Sequence, residues 1–217
     1  MAIPRKTSDM RLGRWALFAL FLTAAVPAHA SDDGPRAPIK RLTSTLLESM
    51  KEAETLGYTG RRNKLTPVLR RSFDFPFMAR LSLGRHWQKL DASDQSQFAD
   101  LFARLSIATF AQRFDGYSGQ TFEIADPRDG PRGTRLVPTR LVNPDPAKET
   151  VTISFLMRPV EEQWRAVDIY LKGTYSELAT KRAEYSSVIK RDGIGALMES
   201  IRARIEEIER NATGQRD

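Results

Sequence analysis

The sequence contains no cysteine, and its two histidines are His29 and His86. Without cysteine there can be no disulfide, no thiolate metal ligand and no lipid anchor on an N-terminal Cys. A zinc site built from His and Cys is excluded as well. A Ser-His-acid triad would have to use His86, and the one candidate serine fails. Gly116-Tyr117-Ser118-Gly119 brings its second glycine one residue too early for a nucleophile elbow, and a helical pattern precedes it where a strand should. There is no G-x-G-x-x-G and no P-loop. Internal repeats and low-complexity segments are missing too. Net charge is +7, with basic and acidic residues interleaved. The densest basic runs, Arg61-Arg62 and Arg70-Arg71, read as solvated helix faces, and no nucleic-acid partner is expected.

The N-terminus has the pattern of an export signal. Arg5, Lys6, Arg11 and Arg14 precede a 12-residue apolar core, Trp15 to Val26, which is shorter than the ~20 residues a membrane span requires. Ala28-His29-Ala30 supplies an A-x-A cleavage signal. Residues 1–30 are therefore expected to be a signal peptide. Residues 31–217 are expected to form a single domain, soluble in the compartment it reaches.

After a polar leader, apolar residues recur at helical spacing at Ile39, Leu42, Leu46, Met50 and Ala53. Gly57 to Gly60 breaks this stripe. A second helix carries Leu65, Val68, Leu69 and Phe73, with Pro67 in its first turns. Asp74 is placed to cap a short helix from Phe75 to Leu83, which Gly84 ends. Asp91 caps a long helix through Phe114, with Phe98, Leu101, Phe102 and Leu105 on its broad apolar face.

Beyond the Asp115–Gly119 turn the period changes to two. Phe122 and Ile124 mark one strand and Arg135 to Val142 the next, where Pro138 predicts an edge position or a bulge. Val151 to Leu171 then reads as a hairpin. With Pro159 to Gln163 as a five-residue loop, Phe155 would face Val167, Ile153 would face Ile169 and Val151 would face Leu171. One side of that hairpin is continuously apolar, while the other carries Ser154, Asp168, Thr152 and Tyr170. Thr174 is read as the cap of a further helix, and Asp192-Gly193 separates it from a last one bearing Leu197, Ile201, Ile205 and Ile208. The expected fold is α+β: a curved antiparallel four-stranded meander packed by about six helices around an apolar cavity. The helices fall in 38–117 and 174–210 and the sheet in 120–172.

Asp168 is the one carboxylate placed inside an apolar strand. Its expected role is structural, bonded to Ser154 or to a helix-end donor, since no partner acid can be placed near it. Asn211-Ala212-Thr213 is formally a glycosylation sequon in a frayed tail.

The order and spacing of several segments resemble the toluene-tolerance Ttg2D/MlaC family of periplasmic lipid-binding proteins. They are the region around Asp74, Leu83-Gly84-Arg85-His86-Trp87, Asp94-Gln95 with Phe98 and Phe102, Trp164 to Ile169, and Asp192 to Leu197. Arg113 to Gly119 and Gly173 to Tyr185 look most like the hopanoid-associated HpnM branch. Phospholipid carriers have a G-V-S-L-x-x-x-Y-R run after the last strand, whereas this chain has Gly173-Thr174-Tyr175-Ser176. The resemblance implies a periplasmic shuttle, auxiliary to an ABC-type lipid transport system. Its partners would be a lipid, hopanoid or phospholipid, an inner-membrane ABC transporter or other lipid exporter, and an outer-membrane partner.

On that reading the protein is no enzyme and needs no cofactor or metal. The lipid-lining residues expected between sheet and long helix are Phe75, Met78, Leu101, Leu105, Phe122, Leu136, Ile153, Phe155, Val167 and Ile169. Two other classes stay open: an exported hydrolase or isomerase using Asp168, and an assembly adaptor that binds a partner helix in its groove.

Overall fold

The computed structural model describes residues 1–2 and 34–214; the signal-peptide reading lies outside the described residues. Among the described residues five α-helical elements and six strands follow in the order α1 (Arg36–Lys51), α2 (Ala53–Ser72), α3 (Phe75–Leu83), α4 (Ala92–Arg113), β1 (Thr121–Ile124), β2 (Arg128–Asp129), β3 (Arg135–Val142), β4 (Val151–Val160), β5 (Gln163–Leu171), β6 (Tyr175–Ser176) and α5 (Glu177–Thr213). A 3-10 turn over Gly84–Lys89 links α3 to α4. Residues 34–214 fall in one compact unit.

The expected meander is present as β1-β3-β4-β5, all antiparallel, with β6 added beside β5 and β2 beside β3. The class is α+β. Two helical elements break at glycines in left-handed backbone, Gly57 (φ 56°) in α2 and Gly193 (φ 84°) in α5. These are the two breaks the glycine spacing predicts.

Helix starts follow local chemistry. The Asp74 carboxylate accepts from Phe77 N–H at 3.2 Å and that of Asp91 accepts from Asp94 N–H at 2.8 Å, each satisfying an otherwise orphaned donor. The α5 cap is Ser176, whose hydroxyl accepts from Ala179 N–H, and not Thr174, because Tyr175-Ser176 first pairs with Leu171 and Tyr170. Pro67 lies well inside α2, with no N–H to offer the preceding turn. Arg61 is buried, not solvated: it donates to the carbonyls of Ala111 and Ala53.

The hairpin differs from expectation in its turn. Val160 pairs with Gln163, so only Glu161 and Glu162 form the loop, with Glu161 at φ 54° as a tight hairpin turn requires. Pro159 belongs to the strand. β3 begins opposite Met157, so past that point β4 is locally an edge, where proline is tolerated. The resulting pairs are Ile153 with Leu171 and Phe155 with Ile169. This two-residue slip from the expected register keeps Ile153, Phe155, Ile169 and Leu171 on their own face. A bulge then intervenes, since Leu156 pairs with Asp168 and Met157 with Ala166, leaving Val167 as the extra residue.

Pro138 is likewise in an interior strand. Its carbonyl accepts from Ala125 N–H just beyond the end of β1, so its missing donor falls in the gap between β1 and β2.

The sheet's inner face carries Val137, Phe155 and Met157, buried against the helices. α4 packs on α2, α3 and α5. Where β6 has stopped, the α2–α3 junction extends the sheet edge: Phe73 bridges Ala166, and Asp74 N–H donates to the Ala166 carbonyl at 2.9 Å. That junction sets Phe73 and Phe75 against the sheet's inner face.

Candidate functional site: an apolar cavity with a charged mouth

The sheet and helices do not close on each other completely. Between them lies a cavity of about 850 Å³, within the usual range for small-molecule sites. α4 contributes Phe102, Leu105, Thr109 and Phe110. The sheet contributes Phe122, Leu141, Val151, Ile153, Phe155, Ile169 and Leu171, and both halves of α5 contribute, through Leu178 and Tyr185 and through Ile201.

Aromatic rings make up much of the wall. Phe73 and Phe75 stack with centroids 5.4 Å apart, and Phe155 meets Phe73 edge-on at 6.1 Å. Phe110 and Phe114 stack at 5.8 Å. Stacked and edge-on pairs of this kind are mutually stabilising and hold the wall open on a rigid frame. The Tyr185 hydroxyl is buried without a hydrogen-bond partner among the described residues. Burial, and secondarily the charge of Glu184, pushes its pKa above the usual tyrosine value, so it stays a neutral phenol.

The charged residues of the lining, Arg113, Lys172, Lys181 and Arg204 with Glu177 and Glu184, are all exposed or half-buried, which puts them at its rim. Of the cations only Arg204 is in a carboxylate ion pair among the described residues, with Glu207 at 2.6 Å. Lys181 instead lies over the Tyr185 ring at 5.9 Å. The mouth therefore has surplus positive charge above an apolar interior.

Of the residues expected to line such a site, Phe75, Met78, Leu105, Phe122, Ile153, Phe155 and Ile169 face this cavity. Three do not. Leu101 is 4% exposed and packs in the solid core. Leu136 sits opposite Leu156 on the outer face of the sheet. Val167 is displaced by the bulge.

Sequence reasoning missed Phe73, Phe102, Phe110 and Phe114 as lining. For the last three a signal was available: Phe102, Leu105, Ser106, Thr109, Phe110, Arg113 and Phe114 recur at spacings of three and four along α4 and its cap, a second stripe beside the core stripe.

Asp168 is on the outer face, away from the cavity. Its carboxylate accepts from Ser176 Oγ, Ile169 N–H and Leu178 N–H. The expected helix-end donor is thus Leu178, and Asp168 itself is not among the residues that line the cavity. Among the described residues no cluster of three His, Asp or Glu could hold a metal ion, and no helix is long and apolar enough to cross a membrane.

Residues 40–203 match the MlaC protein family. The chain belongs to the MlaC family. A structure similar to it is that of the phospholipid-binding protein from Ralstonia solanacearum in complex with a phospholipid. It superposes with a TM-score of 0.67 at 22% identity, over 81% of this chain and 99% of that one. At that identity the likeness establishes a shared fold, and the MlaC fold here is the layered arrangement described above. No curated protein matches the sequence.

Proposed function

We propose that this MlaC-family protein binds a phospholipid, acyl chains in the cavity and phosphate at the mouth, and carries it across the periplasm between inner and outer membranes. The observation that carries this reading is the division of the cavity into an apolar interior and a rim with more cations than anions. Burying one sixteen-carbon chain is worth about 12 kcal/mol against water at about 0.8 kcal/mol per methylene. Against a bilayer interior the same transfer is nearly neutral, so a phenylalanine-lined cavity can both take up a lipid and release it. A phosphodiester outside the cavity then meets Arg113, Lys172 and Lys181, none in a carboxylate ion pair among the described residues. The phospholipid bound by the Ralstonia relative supports the same cargo class. No chemical step is needed, and none is assigned.

Carriage implies export, by the signal peptide ending at Ala30, and docking stations at either membrane. These are an inner-membrane ABC transporter or other exporter and an outer-membrane partner. A hopanoid is the second reading. The stretches that resemble the hopanoid-associated HpnM branch supply Arg113, Phe114, Glu177, Leu178, Lys181, Glu184 and Tyr185 to the lining.

Mass spectrometry of an organic extract of the protein purified from its native host tests the proposal. One phospholipid per chain is expected. A hopanoid at that stoichiometry would replace phospholipid by the second reading, and an extract free of lipid would overturn both, leaving the partner-helix adaptor.

A further inference from the structure

The described residues expose few large apolar side chains, and apart from the terminal methionine each lies in the cavity lining or next to it in register or in the chain. They are Tyr117, Val151 and Tyr175, at 41%, 40% and 67% exposure. Val151 itself lines the cavity. It pairs with Leu141, which pairs with Phe122, so the three form one row across the inner face. In the next row Ile153 pairs with Leu171, and Leu171 with Tyr175. Directly paired residues share a face, so Tyr175 lies on the cavity's side of the sheet, at the outer end of a row whose other members line it. Tyr117 follows the lining residues Arg113 and Phe114 in the turn that leads to Phe122, and Lys51 Nζ sits 5.3 Å from its ring centroid.

The aromatic pair therefore borders a mouth already rich in cations. Lys172 lies between Leu171 and Tyr175 in the chain. Exposed tyrosines beside lysine and arginine around an apolar opening match the bilayer interface chemically: the ring sits at headgroup depth and the cations meet anionic phosphate. An acidic protein surface would satisfy the cations and leave the aromatic rims unused.

We propose that the mouth seats directly on an anionic bilayer surface, with Tyr175 and Tyr117 inserted at headgroup level, so that lipid passes between membrane and cavity without crossing water. This rests on the lipid-binding reading, but its test is separable. The mature protein is floated with vesicles of equimolar phosphatidylglycerol and phosphatidylcholine, and with phosphatidylcholine alone. Its copurified lipid is measured in parallel. Expected results are association with the anionic vesicles only, weakening as salt rises, and about fivefold weaker association for Tyr175→Ser combined with Tyr117→Ser, equivalent to about 1 kcal/mol. Lipid content should be unchanged in that variant, since neither side chain lines the cavity.

Absence of association with anionic vesicles, or association indifferent to the double substitution, overturns the docking surface. If the protein nonetheless copurifies with lipid, the carrier reading survives and uptake runs through a protein partner. If it copurifies with none, the carrier reading has failed independently.

Discussion

The Asp168 carboxylate accepts the backbone N–H of Leu178 at 3.1 Å, and through this bond the last long strand holds the start of α5. Ser176 closes the same junction: its hydroxyl donates to Asp168 and accepts from Ala179 N–H. A negative charge at a helix N-terminus also suits the helix dipole. Asp168→Asn keeps the shape and removes the charge. It is expected to cost about 1–3 kcal/mol of folding stability, the value of a charge-assisted bond at a buried site, measured as a lowered urea midpoint. An unchanged midpoint would show that the junction contributes nothing.

Much of this arrangement is written in local signals, and what is not written follows from long-range packing. Asp74 and Asp91 announce their caps because an N-cap satisfies donors within three residues. The inner face of the sheet is legible from alternation at Ile153 and Phe155, and it survived a wrong register because the slip was even. The bulge that displaces Val167 and the placement of Leu136 depend on how β3 and β5 meet β4, which no local pattern encodes. On α4, core and cavity residues share the same apolar chemistry. What separates Leu101 from Leu105 is whether another side chain fills the space beyond it.

Ile153 is half-buried at the centre of the sheet's contribution to the cavity. A carboxylate there faces an apolar hollow, and a neutral ring fills it. Ile153→Asp and Ile153→Trp should both lower copurified lipid several-fold. Ile153→Trp should retain most of its stability, because the added volume enters existing space instead of a packed core. Folded variants, verified by circular dichroism, that carry the full lipid load would place the binding site elsewhere.

Two glycines separate backbone strain from steric conflict. Gly193 has φ 84° and nothing within 4 Å of a Cβ built there, whereas Gly84 has φ 54° and would place a Cβ 2.8 Å from Arg182 Nε. Gly193→Ala should cost only the backbone penalty of a side chain at φ 84° and ψ 173°, a region essentially reserved for glycine, about 1–3 kcal/mol. Gly84→Ala adds displacement of the Arg182 guanidinium and should cost more. Thermal denaturation of the pair orders them, and equal losses would mean that Arg182 yields freely.

The surroundings of His86 set the sign of a pH dependence expected for the fold. Its Nε2 lies 3.4 Å from Ser186 Oγ. Burial, then the charges of Arg85, Lys89 and Lys190, hold its pKa below the ordinary 6.5. The unfolded chain therefore takes up this proton first as pH falls. The contribution is fully present above about pH 6.5, diminishes as pH drops from there to the lowered folded value, and is constant below it. His86→Gln cannot titrate, so the stability of the native protein relative to this variant should decline across that window. Urea midpoints of both proteins between pH 7.5 and 5 measure the difference. Curves that stay parallel would mean that the imidazole is protonated as easily in the folded chain as in the unfolded one, and that the surrounding lysines and arginine are too well screened to matter.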